Sequence, residues 1–238
     1  VCPLEKWLDD ELMQKIAAEN GISETAFFVP AEGHYELRWF TPTTEVDLCG
    51  HATLATAFVL FDELGYQGEA IRFETKSGTL HVARLGSSLV MDFPSRPGEE
   101  CDAPDHLSTG LGRPAKEVYR SRDYLVVYPD EEVVRSLDPD FSELAKVDAL
   151  GIIVTAPGND VDFVSRFFAP RAGVDEDPVT GSAHCTLAPY WADRLEKKDL
   201  SARQVSRRGG ELACRIADDR VHIAGHAALY FKGVLSVG

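Results

Sequence analysis

The chain has 238 residues, of which 44% are hydrophobic, and carries a formal net charge of −15. Its lysines and arginines form no dense cluster, which excludes nucleic acid and anionic membrane as main partners and leaves the acidic surplus as a solvated surface. The length and apolar content suit one or two domains with a genuine core.

Apolar residues at positions 8, 12, 13, 16 and 17 have helical spacing, so a helix is expected over 8–20, ended by Gly21. Strands are expected over 25–29 and 35–40. The stretch 51–64 reads as a helix that is apolar nearly all round, a pattern typical of a helix buried on every side. Short strands follow over 70–75, 79–84 and 88–93, with turns at Lys76-Ser77-Gly78 and Leu85-Gly86-Ser87. Residues 101–114, polar and rich in Gly, Pro and Asp, read as a passage between lobes. Beyond it, strands are expected over 124–128, 151–156 and 163–168, a second buried helix over 182–195, and strands over 201–206, 211–217, 220–227 and 228–235. The longest apolar run, 52–61, is half of the roughly 20 residues a membrane span needs.

One segment occurs twice. Arg38-Trp39-Phe40-Thr41-Pro42 with Val46-Asp47 returns as Arg166-Phe167-Phe168-Ala169-Pro170 with Val174-Asp175, at a constant offset of 128. His51-Ala52-Thr53-Leu54-Ala55 then returns as His184-Cys185-Thr186-Leu187-Ala188 at an offset of 133, so the second copy carries five extra residues in the polar stretch 175–182. Two copies this far apart imply two related lobes rather than a solenoid. The fold class expected is α+β: two pseudo-symmetric lobes, each a mostly antiparallel, barrel-like sheet around a central apolar helix. The lobes are expected at 1–103 and 104–227. A strand is expected to precede Val1, and 228–238 is a candidate to pair back onto the first lobe.

Both buried helices open on glycine and small polar residues, Cys49-Gly50-His51 and Gly181-Ser182-Ala183-His184. Helix N-termini present unpaired N–H groups and positive potential, and two of them meeting in one cleft would hold a carboxylate. Taken alone, Glu24 reads as a surface residue, His51 as a capping histidine and Asp177 as part of an Asp-Pro turn. The five cysteines are odd in number, widely spaced and without CxxC, which points to reduced thiols in a cytoplasm. The histidines have no metal-ligand spacing, and Gly110-Leu111-Gly112 lacks the third glycine of a nucleotide loop. Neither a metal nor an organic cofactor is expected.

Several segments together resemble the phenazine-biosynthesis (PhzF-like) isomerase family: Ile22-Ser23-Glu24-Thr25-Ala26-Phe27-Phe28-Val29, the run 49–53, and Glu176-Asp177-Pro178-Val179-Thr180-Gly181-Ser182-Ala183. Ser77-Gly78-Thr79-Leu80 and Arg208-Gly209-Gly210-Glu211-Leu212 add to the likeness, which spans essentially the whole chain in order. Family chains usually begin with a further strand and an Asn-Pro-Leu-Ala-type segment, which agrees with the strand expected before Val1. The resemblance implies a diaminopimelate epimerase-like fold and cofactor-free isomerisation of a small acid by proton transfer. It also implies Glu24 as acid/base and His51, Asp177 and Ser182 as substrate-holding residues. Gly50, Gly181, Ser77, Gly78, Gly209 and Gly210 complete the candidate binding set. A small-molecule substrate is the expected partner, and a homodimer stays open.

Two rivals share the cleft. A two-thiol racemase needs a cysteine on each lobe, but the repeat places Ser182 opposite Cys49, and a hydroxyl is too weak an acid to replace a thiol. A one-thiol epimerase built on Cys49 survives, helped by the helix N-terminus beside it. A non-catalytic binding protein is the other alternative.

Overall fold

The computed structural model describes residues 1–236. The first lobe contains β1 (Cys2–Pro3), α1 (Asp10–Asn20), β2 (Thr25–Ala31), β3 (His34–Phe40), β4 (Glu45–Val46), α2 (Gly50–Phe58), β5 (Ala70–Thr75), β6 (Gly78–Leu85) and β7 (Ser88–Pro94). The helical spacing of α1 turns Met13 and Ala17 onto Phe27 and Phe40, and Gly21 ends the helix in the left-handed conformation. Helix α2 is shorter than its apolar run suggests. It passes into a π-helical turn at Val59–Glu63, where the Leu64 N–H reaches back to the Val59 carbonyl.

The chain continues through β8 (Glu99–Glu100), α3 (Leu107–Leu111), β9 (Glu117–Arg120), β10 (Tyr124–Val127), α4 (Glu131–Ser136), α5 (Phe141–Leu144), β11 (Ile152–Pro157), β12 (Phe163–Ala169) and β13 (Val174–Asp177). It closes with α6 (His184–Leu195), β14 (Asp199–Gln204), β15 (Gly210–Ala217) and β16 (Arg220–Gly225). The passage expected over 101–114 is therefore not featureless. Its helix α3 buries Leu107 and Leu111 in a small core with Val126, Val154 and Phe168.

The doubling seen in the sequence is a doubling of topology. In the first lobe β1 runs parallel to β2, β2 antiparallel to β3, β3 parallel to β5, and β5, β6 and β7 follow antiparallel. In the second, β10, β11, β12, β14, β15 and β16 repeat that pattern strand for strand. The lobes share one continuous sheet, because β7 and β16, equivalent strands, pair antiparallel from Leu89–Gly225 to Pro94–Arg220. Two equivalent strands pairing antiparallel imply a pseudo-two-fold axis between them. The strand β8 lies before residue 103 yet pairs with β9 of the following lobe.

Each lobe curls around its apolar helix. Ala52, Leu54 and Ala57 of α2 and Cys185, Leu187 and Ala188 of α6 lie in one large core with residues of both halves of the sheet. Trp191 stacks on Phe163 at 5.7 Å between ring centroids, and its indole N–H donates to Thr155 Oγ1 at 2.9 Å. The expected strand over 228–235 is absent. Residues 226–236 have no regular structure, and Leu229, Tyr230, Phe231, Val234 and Leu235 are exposed. Ala228-Leu229-Tyr230-Phe231 is an apolar run without period-2 alternation, and apolar content alone does not make a strand. Positions 237 and 238 lie outside the described residues. No helix among those described is long and apolar enough to cross a membrane.

Candidate active site

The two helix starts meet back to back. A Cβ added to Gly50 would lie 2.4 Å from Gly181 Cα, and one added to Gly181 would lie 2.7 Å from Gly50 Cα. Only two glycines allow this approach. Beside it, a narrow cleft opens between the lobes. Glu24, Cys49, Gly50, His51, Arg122, Asp177, Thr180 and Ser182 supply its polar and reactive lining; Val46, Leu48, Leu150 and Phe167 are among its apolar wall.

Glu24 stands at the entry to β2, His51 in the first turn of α2, and Asp177 at the end of β13. His51 joins the lobes. Its Nε2 lies 2.9 Å from Glu24 Oε2, its Nδ1 donates to the Val179 carbonyl at 3.0 Å, and Nδ1 is 3.6 Å from Asp177 Oδ2. With Nδ1–H committed to a carbonyl, Nε2 is the nitrogen free to hold or release a proton toward Glu24. Burial pushes the His51 imidazole down, but its Cys49, Glu24 and Asp177 neighbours push harder and hold it well above the usual range. The carboxylates are the effective partners, because burial, with Glu24 adding to it, pushes the Cys49 thiol up to about 11 and keeps it neutral.

Asp177 is 4% exposed, and burial raises its carboxyl above the ordinary value, with Glu24 acting the same way against His51, Thr180 and Ser23. Its Oδ2 accepts the Thr180 hydroxyl at 2.5 Å, while its Oδ1 is buried with no hydrogen-bond partner. Gln204, fully buried on β14, holds the loop in place. It donates to the Asp177 carbonyl at 2.6 Å and to Thr180 Oγ1 at 3.1 Å, and it accepts the Thr180 N–H at 2.7 Å. Nothing in the sequence singled out Gln204; an amide at the inward position that follows Leu200 and Ala202 is the available signal.

Arg122 was also missed. Its guanidinium donates to Asp47 Oδ1 at 3.1 Å, Asp123 Oδ2 at 3.0 Å and Ser182 Oγ at 3.2 Å. Ser182 thus borders the cleft through a cation. Ser77 and Gly78 do not line the cleft: Ser77 Oγ donates to the Asp47 carbonyl at 2.8 Å and is linked to Arg122 through Asp47. Gly78 turns the chain at φ +91°. Gly181, Gly209 and Gly210 line a neighbouring cavity that shares His51 with the cleft. Gly210 also packs on Val179, whose Cγ2 would be 2.3 Å from an added Cβ.

The two pseudo-symmetric halves share a scaffold but differ at the cleft. Arg38 grips Glu45 through two hydrogen bonds, and Arg166 grips Glu176 in the same way, so the scaffold is shared. Strand register, Thr25 opposite Phe40 and Ile152 opposite Phe168, places Gly151 where Glu24 stands. A Cβ there would meet the Phe167 ring at 2.2 Å, so that half has no room for a base. His184, the counterpart of His51, is fully buried, donates Nδ1–H to the Thr180 carbonyl at 2.8 Å, and is pushed by burial down to about 4.

A family model described as phenazine biosynthesis-like protein matches residues 1–233. Among curated proteins, an uncharacterized isomerase of Pseudomonas aeruginosa is 55% identical over 99% of this chain and 91% of its own length. An uncharacterized isomerase of Halalkalibacterium halodurans is 46% identical, again over 99% of the chain and 91% of its own length. Among solved structures, a PhzF-family phenazine biosynthesis protein of Enterococcus faecalis superposes with a TM-score of 0.91 at 48% identity, covering 99% of this chain and 91% of that one. A probable proline racemase of Agrobacterium radiobacter superposes at a TM-score of 0.68 with 10% identity, over 97% of this chain and 82% of that one, and shows a shared fold.

Proposed function

Because the chain belongs to the phenazine biosynthesis-like (PhzC-PhzF) family and is an isomerase of that family, we propose that it moves a proton on a small carboxylic or amino acid held between its lobes, without a cofactor. The observation that carries this reading is the 2.9 Å contact between Glu24 Oε2 and His51 Nε2 at the mouth of two abutting helix starts. With His51 protonated, Glu24 is a carboxylate able to accept a proton from an acidic carbon and return it to another position on the substrate.

The binding set follows from charge. The first N–H groups of α2 lack intrahelical partners and suit a carboxylate, and Arg122 and Ser182 lie on the same wall. Asp177, held by Thr180 and Gln204, offers its unpartnered Oδ1 to a donor such as a substrate amine or hydroxyl. The Glu24–His51 contact opens to admit the reacting carbon, and His51 then polarises the substrate. Cys49 does not act as the base, because its thiol stays protonated at neutral pH.

The test is solvent-deuterium incorporation into a panel of small cyclic and amino acids, followed by mass spectrometry. Glu24→Gln keeps the shape and removes the base. It is expected to leave ligand binding nearly unchanged and to stop incorporation; exchange at the wild-type rate in Glu24→Gln overturns the assignment.

A further inference from the structure

The Glu24–His51 contact has a third neighbour that proton transfer leaves unused. Cys49 Sγ lies 3.9 Å from His51 Nε2, and one donor atom from each of Glu24, Cys49 and His51 falls within 4.8 Å of the others. Thiolate, imidazole and carboxylate are the donors zinc prefers. A tetrahedral ion with bonds of about 2.0 Å to nitrogen and oxygen and 2.3 Å to sulfur sets such donors roughly 3.3–3.6 Å apart. The 2.9 Å nitrogen–oxygen separation has to open by a few tenths of an ångström and the 3.9 Å sulfur–nitrogen separation has to close by about as much.

Two further observations point to a ligand. The His51 Nδ1–H donates to the Val179 carbonyl at 3.0 Å, the contact that orients a metal-bound histidine and leaves Nε2 free. Glu24 Oε2 is buried and accepts no well-aligned hydrogen bond, and Asp177 Oδ1 nearby is also buried without a partner. The positive end of α2 opposes a cation here, but the Asp177 carboxylate, 3.6 Å from His51, offsets it. Magnesium and calcium, which take oxygen ligands, do not suit a set with one nitrogen and one sulfur.

We propose that Glu24, Cys49 and His51 form a binding site for a thiophilic divalent cation of the zinc class, and that the bound cation switches off proton transfer. The second half rests on the reading of Glu24 as the proton carrier. On binding, Cys49 gives up its thiol proton and His51 gives up the proton on Nε2. Both go to solvent, nothing is oxidised or reduced, and the fourth coordination position is left to water.

Calorimetric titration of the whole chain with Zn²⁺, and absorption spectra with Co²⁺, test the site. One saturable equivalent is expected, with a thiolate-to-cobalt charge-transfer band in the near ultraviolet. Both should survive replacement of the half-buried thiols in Cys2→Ser/Cys101→Ser. Affinity should fall on the order of 100-fold in Cys49→Ala and in Glu24→Gln. Cys49→Ser, nearly isosteric, provides the same comparison with less change in packing. Absence of saturable binding, or binding that Cys49→Ala and Cys49→Ser leave intact, overturns the proposal. Zn²⁺ bound through Cys49 while deuterium exchange continues overturns the inhibitory half and the role given to Glu24, and leaves the cation site standing.

Discussion

Gly50→Ala tests whether the cleft depends on the meeting of the two helix starts. The new methyl carbon would sit 2.4 Å from Gly181 Cα, and the obstacle is backbone rather than the tip of a flexible side chain. Ordinary contact needs about 1 Å more, so α2 and the 181–183 turn must part by roughly that amount or the methyl must be strained. Overpacking of this kind costs about 1–3 kcal/mol. The same shift lengthens the 3.0 Å bond from His51 to Val179 and moves His51 relative to Asp177. A displacement of about 1 Å at reacting groups costs on the order of 100-fold in rate. Urea unfolding followed by circular dichroism reads the first effect, and deuterium incorporation reads the second. Gly181→Ala should behave alike, since its methyl would meet Gly50 Cα at 2.7 Å. Stability within about 0.5 kcal/mol of wild type, with exchange undiminished, would refute the reasoning.

Three more outcomes are expected. His184, pushed by burial down to about 4, is neutral in the folded chain, whereas unfolded it takes a proton near pH 6.5. Its contribution is therefore complete above pH 6.5 and is lost as pH falls toward 4, about 3 kcal/mol in all. His184→Asn should flatten stability-versus-pH across that window, and an unchanged slope would count against a neutral buried histidine. Arg166 donates to Glu176 and to the Val134 and Leu137 carbonyls, so Arg166→Ala should cost about 3 kcal/mol or more in denaturant unfolding. Gln204→Leu strips the Asp177–Thr180 loop of three hydrogen bonds. It should cost about 2–3 kcal/mol and lower turnover, and unaltered kinetics would show that the loop holds Asp177 unaided.

Local pattern carried much of the architecture. Helical spacing in 8–20, alternation in the short strands and the doubled Arg-aromatic-aromatic segment were enough for two related lobes around apolar helices, because those signals are written in neighbouring residues. The same logic failed at 228–235, an apolar stretch without period-2 alternation that pairs with no strand, and at α4 and α5, whose six and four residues are too few to establish a period. The family motifs named Glu24, His51, Asp177 and Ser182, and all four line one cleft. What they do there was not legible in the chain. Gly50 meets Gly181, Gln204 grips Asp177, Arg122 grips Ser182, and Cys49 turns toward His51. Most of these contacts join residues far apart in sequence; the seating of one lobe against the other across β7 and β16 sets the meeting of Gly50 with Gly181, and the folding of the second lobe sets those of Gln204 and Arg122. The repeat predicts equivalent halves. The packed structure makes them unequal, because a phenylalanine ring fills the space at Gly151 that a carboxylate occupies at Glu24.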